Sequence, residues 1–371
     1  MIDYRLQTFE QEKINISKYV DNKWKSDDLK HFHFFSANIS LFLGQNYDES
    51  SHKDLYKELL SYRVLQGIDT KFYNLIDNVE DFHNSNIDTQ SPSIFVSFHI
   101  GSYRAILALL IKKNTDVLLL MDPIAYASQN KAVFEQYEKI KKLFQSTSKL
   151  IILPADKKDL ALDILIRTKQ NYSVLAFVDG NNGFGGAFKQ DHSLKINFLG
   201  KDIMVKQGLA KLSHRLSIKI VPIISRYENC AQKWDFFDPI VPSRENKAEE
   251  YSLSTMQKLY GILETSVKRY PMQWDGWLYI HKFLAEKTSS LNSLTTFTEA
   301  DHQFKVSKSL GLFSLNEKYY MVNKANYKIF EISKIIFGLL KESLNKKYLN
   351  RNDIEMNDLN ALFAERILLP I

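Results

Sequence analysis

The sequence predicts an α/β fold with a mostly parallel central sheet flanked by helices, a helical N-terminal subdomain and a small α+β C-terminal domain. Three observations predict it. Between residues 91 and 287, short runs of Ile, Val, Leu and Phe alternate with helix-length segments, as in successive βαβ crossovers. Residues 1–90 have no such runs and place apolar residues at helical spacing. Residues 288–301 are rich in Ser and Thr and break the pattern, after which residues 304–371 start afresh as a separate piece.

In the N-terminal subdomain, Phe32, Phe34, Phe35, Ile39, Leu41 and Phe42 form an apolar cluster, followed by Leu55, Leu59, Leu60 and Val64. A helical layer covering one side of a sheet suits both. Residues 84–92 are rich in Asn, Ser, Asp and Pro and read as a loop. The core then begins with a β-prone run at 93–98 that ends at His99. A helix is expected over 104–111, strands over 117–121, 150–153 and 173–178, and helices over 131–144 and 160–169. A helix over 207–216 leads to a strand over 218–224, and a long helix spans 249–268. In a parallel sheet, sites form at the strands' carboxyl ends, and His99 and Asp179 each follow a strand. The C-terminal piece shows short strands over 312–315 and 318–322, then helices over 327–343 and 356–366.

Bulk properties bound the function. The 371 residues are 44% hydrophobic and 25% charged, enough to bury a sizeable core. A formal charge of +6 is mildly basic. It suits an acidic carrier protein or peripheral contact with an anionic membrane better than nucleic acid, since no basic stripe interleaves with aromatics. Cys230 is the lone cysteine, which excludes an internal disulfide and a multi-thiolate metal site; it reads as a buried, unreactive residue. The polar start and the lack of a membrane-length apolar run point to the cytoplasm.

The chemistry-bearing candidates begin with Ser97-Phe98-His99-Ile100-Gly101-Ser102-Tyr103-Arg104. A neutral imidazole at a strand end can remove a proton from a hydroxyl or amine, and small neighbours permit close approach. A histidine that merely caps a strand is the plain alternative. Asp179-Gly180-Asn181-Asn182-Gly183-Phe184-Gly185-Gly186 is glycine-rich but lacks the lysine of a phosphate loop. It reads as a loop beside a substrate channel or as a simple turn. Phe198-Leu199-Gly200 is a hairpin end, Val221-Pro222 lies on a strand, and Arg226 comes just after it. Pro271, Trp274, Trp277 and His281 sit at helix-like offsets that also suit an aromatic packing seam.

Taken in order, these pieces resemble the lipid A biosynthesis acyltransferase family of the lysophospholipid acyltransferase superfamily, over roughly residues 90–285. The resemblance implies attack by a hydroxyl or amine on an acyl thioester carried by acyl carrier protein or coenzyme A, with no tightly bound cofactor and no metal. It implies His99 as general base, and Asp179, the head of the later aspartate-led segment, is the second catalytic candidate. Gly101, Ser102, Tyr103, Arg104, Gly180, Phe198, Gly200 and Arg226 would contact substrate, and amides near Gly101 or Asp179 would meet the oxyanion.

Two departures stand out. The family places Asp or Glu five positions after the histidine, where this chain has Arg104. A guanidinium there disfavours the imidazolium. Three outcomes are open: Asp179 supplies the carboxylate, Arg104 binds a donor phosphate or an acceptor carboxylate, or catalysis is lost and the protein only binds a peptide or carrier. The second departure is a polar rather than hydrophobic N-terminal region, which favours a soluble acceptor. Residues 304–371 resemble the small PqqD-like winged-helix domain in their hydrophobic pattern. That resemblance implies a peptide acceptor bound at a sheet edge; a helical cap is the plain alternative.

Overall fold

A computed structural model describes residues 2–22, 26–44, 46–72, 91–180, 193–243, 245, 247–286, 303–346 and 348–371. The expected linker at 288–301, most of the loop at 84–92 and the glycine-rich residues 181–186 lie outside these. Contacts divide the chain into two compact units, Met1–Ser17 with Lys57–Gly276 and Lys18–Tyr56 with Trp277–Ile371.

Three helices open the chain: α1 (Ile2–Asn22), α2 (Ser26–Leu43) and α3 (His52–Asp69). The α/β segment follows as β1 (Ile94–Ser97), α4 (Ala105–Lys112), β2 (Val117–Met121), α5 (Pro123–Leu143), β3 (Leu150–Pro154), α6 (Leu160–Lys169) and β4 (Ser173–Phe177). It continues through a hairpin, β5 (Ser193–Phe198) and β6 (Lys201–Lys206), then α7 (Gly208–Leu216), β7 (Ile220–Glu228), β8 (Ala231–Phe236) and α8 (Ala248–Arg269). The main sheet has the order β3-β2-β4-β1-β7-β8. All its pairings are parallel except β7 with β8. The expected mostly parallel sheet is therefore present.

The central strands explain the order. Every residue of β1 is buried, and β1 lies between β4 and β7; continuous apolar runs suit strands covered on both faces. Pro154 ends β3, an edge strand, where a missing N–H costs no ladder bond. Helix α5 begins at Pro123, earlier than expected. Asp122 is the reason: its carboxylate accepts from the Ile124 and Ala125 amides at 2.9 and 3.1 Å, an N-cap with proline in the first turn. The β7–β8 turn holds Asn229 and Cys230 at φ +49° and +62°, as a two-residue hairpin of this twist requires. Cys230 is half-buried rather than buried.

A buried polar knot ties the N-terminal helices of this unit to β7 and β8. Asp69 accepts from Arg5 Nε at 2.6 Å, from Tyr227 Oη at 2.7 Å and from Gln232 Nε2 at 2.7 Å. Arg5 also reaches the Cys230 carbonyl at 2.9 Å. A buried carboxylate needs such donors.

In the second unit, β10 (Leu310–Leu315), β11 (Lys318–Asn323) and β12 (Lys328–Ile332) form one antiparallel sheet, preceded by β9 (Gln303–Val306). Helix α9 (Lys334–Lys346), β13 (Tyr348–Asn350), α10 (Met356–Ala364) and β14 (Leu368–Pro370) complete it, with β13 and β14 flanking β9. The helix expected over 327–343 is thus a strand followed by a helix. Ser333 separates them, its hydroxyl accepting from the Ile336 amide at 3.2 Å. Helix α2 packs in this unit: His33 Nε2 lies 3.0 Å from the Leu312 carbonyl. A Cβ on Gly311 would come within 2.6 Å of the His33 ring, so glycine is required for that contact.

Candidate active site

The site follows from strand register. β1 and β4 pair with Ile94 opposite Val174 and Ser97 opposite Phe177. Carried two residues further, the same offset sets His99 beside Asp179. His99 Nδ1 lies 2.7 Å from Asp179 Oδ1. The Asp179 carboxylate also accepts from the His99 amide at 3.0 Å and from Trp274 Nε1 at 2.8 Å. Its side chain is 3% exposed, whereas that of His99 is 26% exposed. A buried carboxylate with these donors is satisfied, and the imidazole edge stays accessible. With Nδ1–H donated to Asp179, neutral His99 carries its lone pair on Nε2.

Trp274 is held in place by packing. Phe198 is fully buried and meets it edge-on at 5.4 Å, and also meets Tyr260 edge-on at 5.7 Å. Phe198 therefore supports the indole that binds Asp179. Leu199 and Gly200 form the β5–β6 turn at φ +51° and +74°. That turn is anchored to α8: the Leu199 amide donates to Glu264 at 2.9 Å, and Gln257 bonds both Asn197 N and O, at 3.0 and 2.8 Å.

Around the imidazole, Tyr103 and Phe177 pack at 4.8 and 5.2 Å. The Arg104 guanidinium sits 5.7 Å over the Tyr103 ring. Ser102 is buried, its hydroxyl 3.4 Å from Asp69. Gly101, at φ +58°, packs against the backbone of Ser225 and Arg226. Its amide is committed to the Gln273 carbonyl at 3.0 Å, so it is not an oxyanion donor. Gly180 follows Asp179 directly. The Arg226 guanidinium is engaged by Asp235 at 2.8 Å and Glu228 at 3.2 Å, so the structure ties it to the β7–β8 hairpin.

The segment after α8 is a run of short 3-10 turns, not one helix. Trp274 reaches Asp179, while Trp277 packs against Phe42 within the other unit. His281 stacks with both Phe34 and Tyr327, at 4.6 and 4.8 Å, and those two rings stand 6.4 Å from each other. The helix-like spacing of these residues was misleading because each turn of the chain redirects the next side chain.

Two further groups join the cluster. Asp275 donates its amide to the His99 carbonyl at 2.9 Å, and Arg63 Nε lies 3.6 Å from its Oδ1. The only signal for Asp275 was its place between the two tryptophans; nothing marked Arg63. The electrostatics follow from this mix. Burial lowers the His99 pKa, but the charge and hydrogen bond of Asp179, aided by Asp275, outweigh burial and Arg104 and leave it raised. Burial raises the Asp275 carboxyl, against Arg63, His99 and Arg104. Among the described residues, no group of three His, Cys, Asp or Glu side chains is placed to hold a metal ion, and no helix is long and apolar enough to cross a membrane.

No curated protein matches the chain. The matching family model begins downstream of His99 and Arg104 and includes Asp179, Phe198, Trp274 and Asp275. This match supports a general acyltransferase function, and the chain resembles the bacterial lipid A biosynthesis acyltransferase family over residues 127–284.

Proposed function

We propose that the chain transfers an acyl group from a carrier-protein or coenzyme A thioester to a hydroxyl or amine of a soluble acceptor in the cytoplasm. His99 is the general base. The observation that carries this reading is the 2.7 Å contact between His99 Nδ1 and Asp179 Oδ1. A carboxylate on Nδ1 orients the imidazole and stabilises the imidazolium formed when Nε2 takes the acceptor's proton. The acceptor oxygen or nitrogen attacks the thioester carbonyl, and the carbon–sulfur bond breaks from the tetrahedral intermediate. His99 then returns the proton to the departing thiolate. The amides of Ser102 and Tyr103, at the amino end of α4, are the candidates to meet the oxyanion, helped by the helix dipole.

Asp179 supplies the carboxylate that the family pattern would put at position 104. Arg104, exposed over Tyr103, is suited to a donor phosphate or an acceptor carboxylate. A peptide acceptor would use residues 304–371, where β12 borders its sheet. The test is intact-mass analysis of candidate acceptors incubated with an acyl thioester and the protein. Wild type should acylate the true acceptor with turnover and His99→Ala should not; equal product from both would refute the base.

A further inference from the structure

Two carboxylates stand at His99. Asp179 takes Nδ1; the second is Asp275. Ile100 and Trp274 form an antiparallel bridge, with Gly101 N–H donating to Gln273 O at 3.0 Å and Asp275 N–H to His99 O at 2.9 Å. That register sets His99 directly opposite Asp275. Opposite residues of an antiparallel pair point to the same face, with Cβ atoms about 4.5–5.5 Å apart. Asp275 is 14% exposed, and its Oδ1 is buried and accepts no hydrogen bond from the described protein groups. Arg63 Nε, at 3.6 Å, is beyond hydrogen-bond range. An unsatisfied buried carboxylate oxygen is costly, so it marks a position for a donor that the described residues do not supply.

We infer that the acceptor is a primary amine, and that Asp275 is a substrate-binding residue taking one of its N–H bonds while His99 takes the other. A hydroxyl has one proton, which must go to the base, and leaves the Asp275 oxygen unpaired. An amine has two and satisfies both. The amine enters as its free base, and Arg63, 3.6 Å from Asp275 Oδ1, opposes a second cation at that carboxylate. This rests on the acyl-transfer reading and deepens it. The new bond is nitrogen to carbonyl carbon, and the broken bond is carbon to sulfur. One amine proton passes through His99 Nε2 to the thiolate; the other stays on the amide nitrogen, bonded to Asp275, whose own protonation does not change.

The test is a binding measurement on the full chain labelled at histidine, with His99→Gln to assign the His99 imidazole signal. The probes are trifluoroethylamine, a weakly basic amine, and trifluoroethanol, its hydroxyl counterpart. The amine should shift the His99 signal saturably, and trifluoroethanol should bind about tenfold more weakly, the scale of one hydrogen bond to a charged group. Asp275→Leu, a shape-matched apolar replacement, should weaken amine binding by about the same factor. It should unfold no more easily than wild type, because it removes an unsatisfied polar atom. Arg63→Ala should keep or tighten amine binding, which holds the test open if Asp275→Leu misfolds. Equal affinity for amine and alcohol, an unchanged affinity in Asp275→Leu, or no saturable amine shift would each overturn the inference. Failure of the transfer reading shows separately, as turnover that survives His99→Ala.

Discussion

His99 and Asp179 meet through a 2.7 Å contact between atoms eighty residues apart in sequence, and their coupling has a pH signature. Burial alone would lower the imidazole pKa, yet the Asp179 carboxylate leaves it raised. A general base works only when neutral, so kcat/KM should rise with pH along an acid limb whose midpoint lies above the ordinary histidine value of about 6.5. Asp179→Asn removes the charge that raises the pKa. The limb should move to lower pH while kcat/KM falls by about 10³ to 10⁴, the scale seen when a buried partner of a catalytic histidine is neutralised. A pH–rate profile of both proteins decides the matter; an unmoved limb in the variant would mean that Asp179 does not act on His99. The fold carries the same linkage. A raised imidazole pKa stabilises the native state fully below the unfolded value, and that contribution is lost as pH rises through the folded value.

At the scale of elements, the turn from β1 into α4 is built by close backbone contact. A Cβ at Gly101 would lie 2.4 Å from the Ser225 carbonyl oxygen and 2.6 Å from the Arg226 Cα, at φ +58°. Gly101→Ala therefore meets both a left-handed backbone and rigid neighbours. A loss of about 2–4 kcal/mol in urea unfolding is expected, with activity falling as His99 shifts; a loss under about 0.5 kcal/mol would show that the turn gives way freely. How far this region could be read from sequence depends on what each signal encodes. The strands at 117–121 and 150–153 were legible because parallel strands are plain apolar runs even where, as in β3, only the first residue is buried, and His99 and Asp179 because each follows such a run. Strand β8 was not legible: Ala231–Phe236 is only part-buried, and its place depends on a hairpin turn made by Asn229 and Cys230 without glycine. Arg226, a substrate contact by resemblance, has its charge answered by Asp235 on the neighbouring strand and by Glu228. Asp275 escaped notice because its meaning lies in a cross-strand register, which local spacing does not encode.

Across the whole molecule, the two units carry opposite proton linkages. In the first, His99 binds its proton more tightly folded than unfolded. In the second, burial is the leading cause that holds His33 at about 4, despite its bond to the Leu312 carbonyl and with Lys324 adding to the drop. Burial, followed by Lys282, holds His281 at about 3. Both imidazoles are built in as neutral groups. His281 stacks with both Phe34 and Tyr327, with Asn38 Nδ2 at 3.2 Å from its Nδ1. The sign follows from which state binds more protons. Between about pH 6.5 and 4 the unfolded chain protonates both histidines and the folded unit neither, so stability there falls with falling pH. The slope is roughly 1.4 kcal/mol per pH unit for each histidine. Hydrogen exchange of the full chain at pH 7.5 and 5.0 should therefore show amides of residues 310–323 losing protection on acidification, while those of β1 and β4 lose much less. His281→Phe keeps an aromatic ring in place and removes one titrating group, so it should take about one histidine's slope out of the acid loss in the second unit, leaving those of His33 and of His52, whose pKa burial also lowers. An acid loss identical to wild type in that variant would mean that His281 is not the proton sink, and that acid reaches this unit by another route.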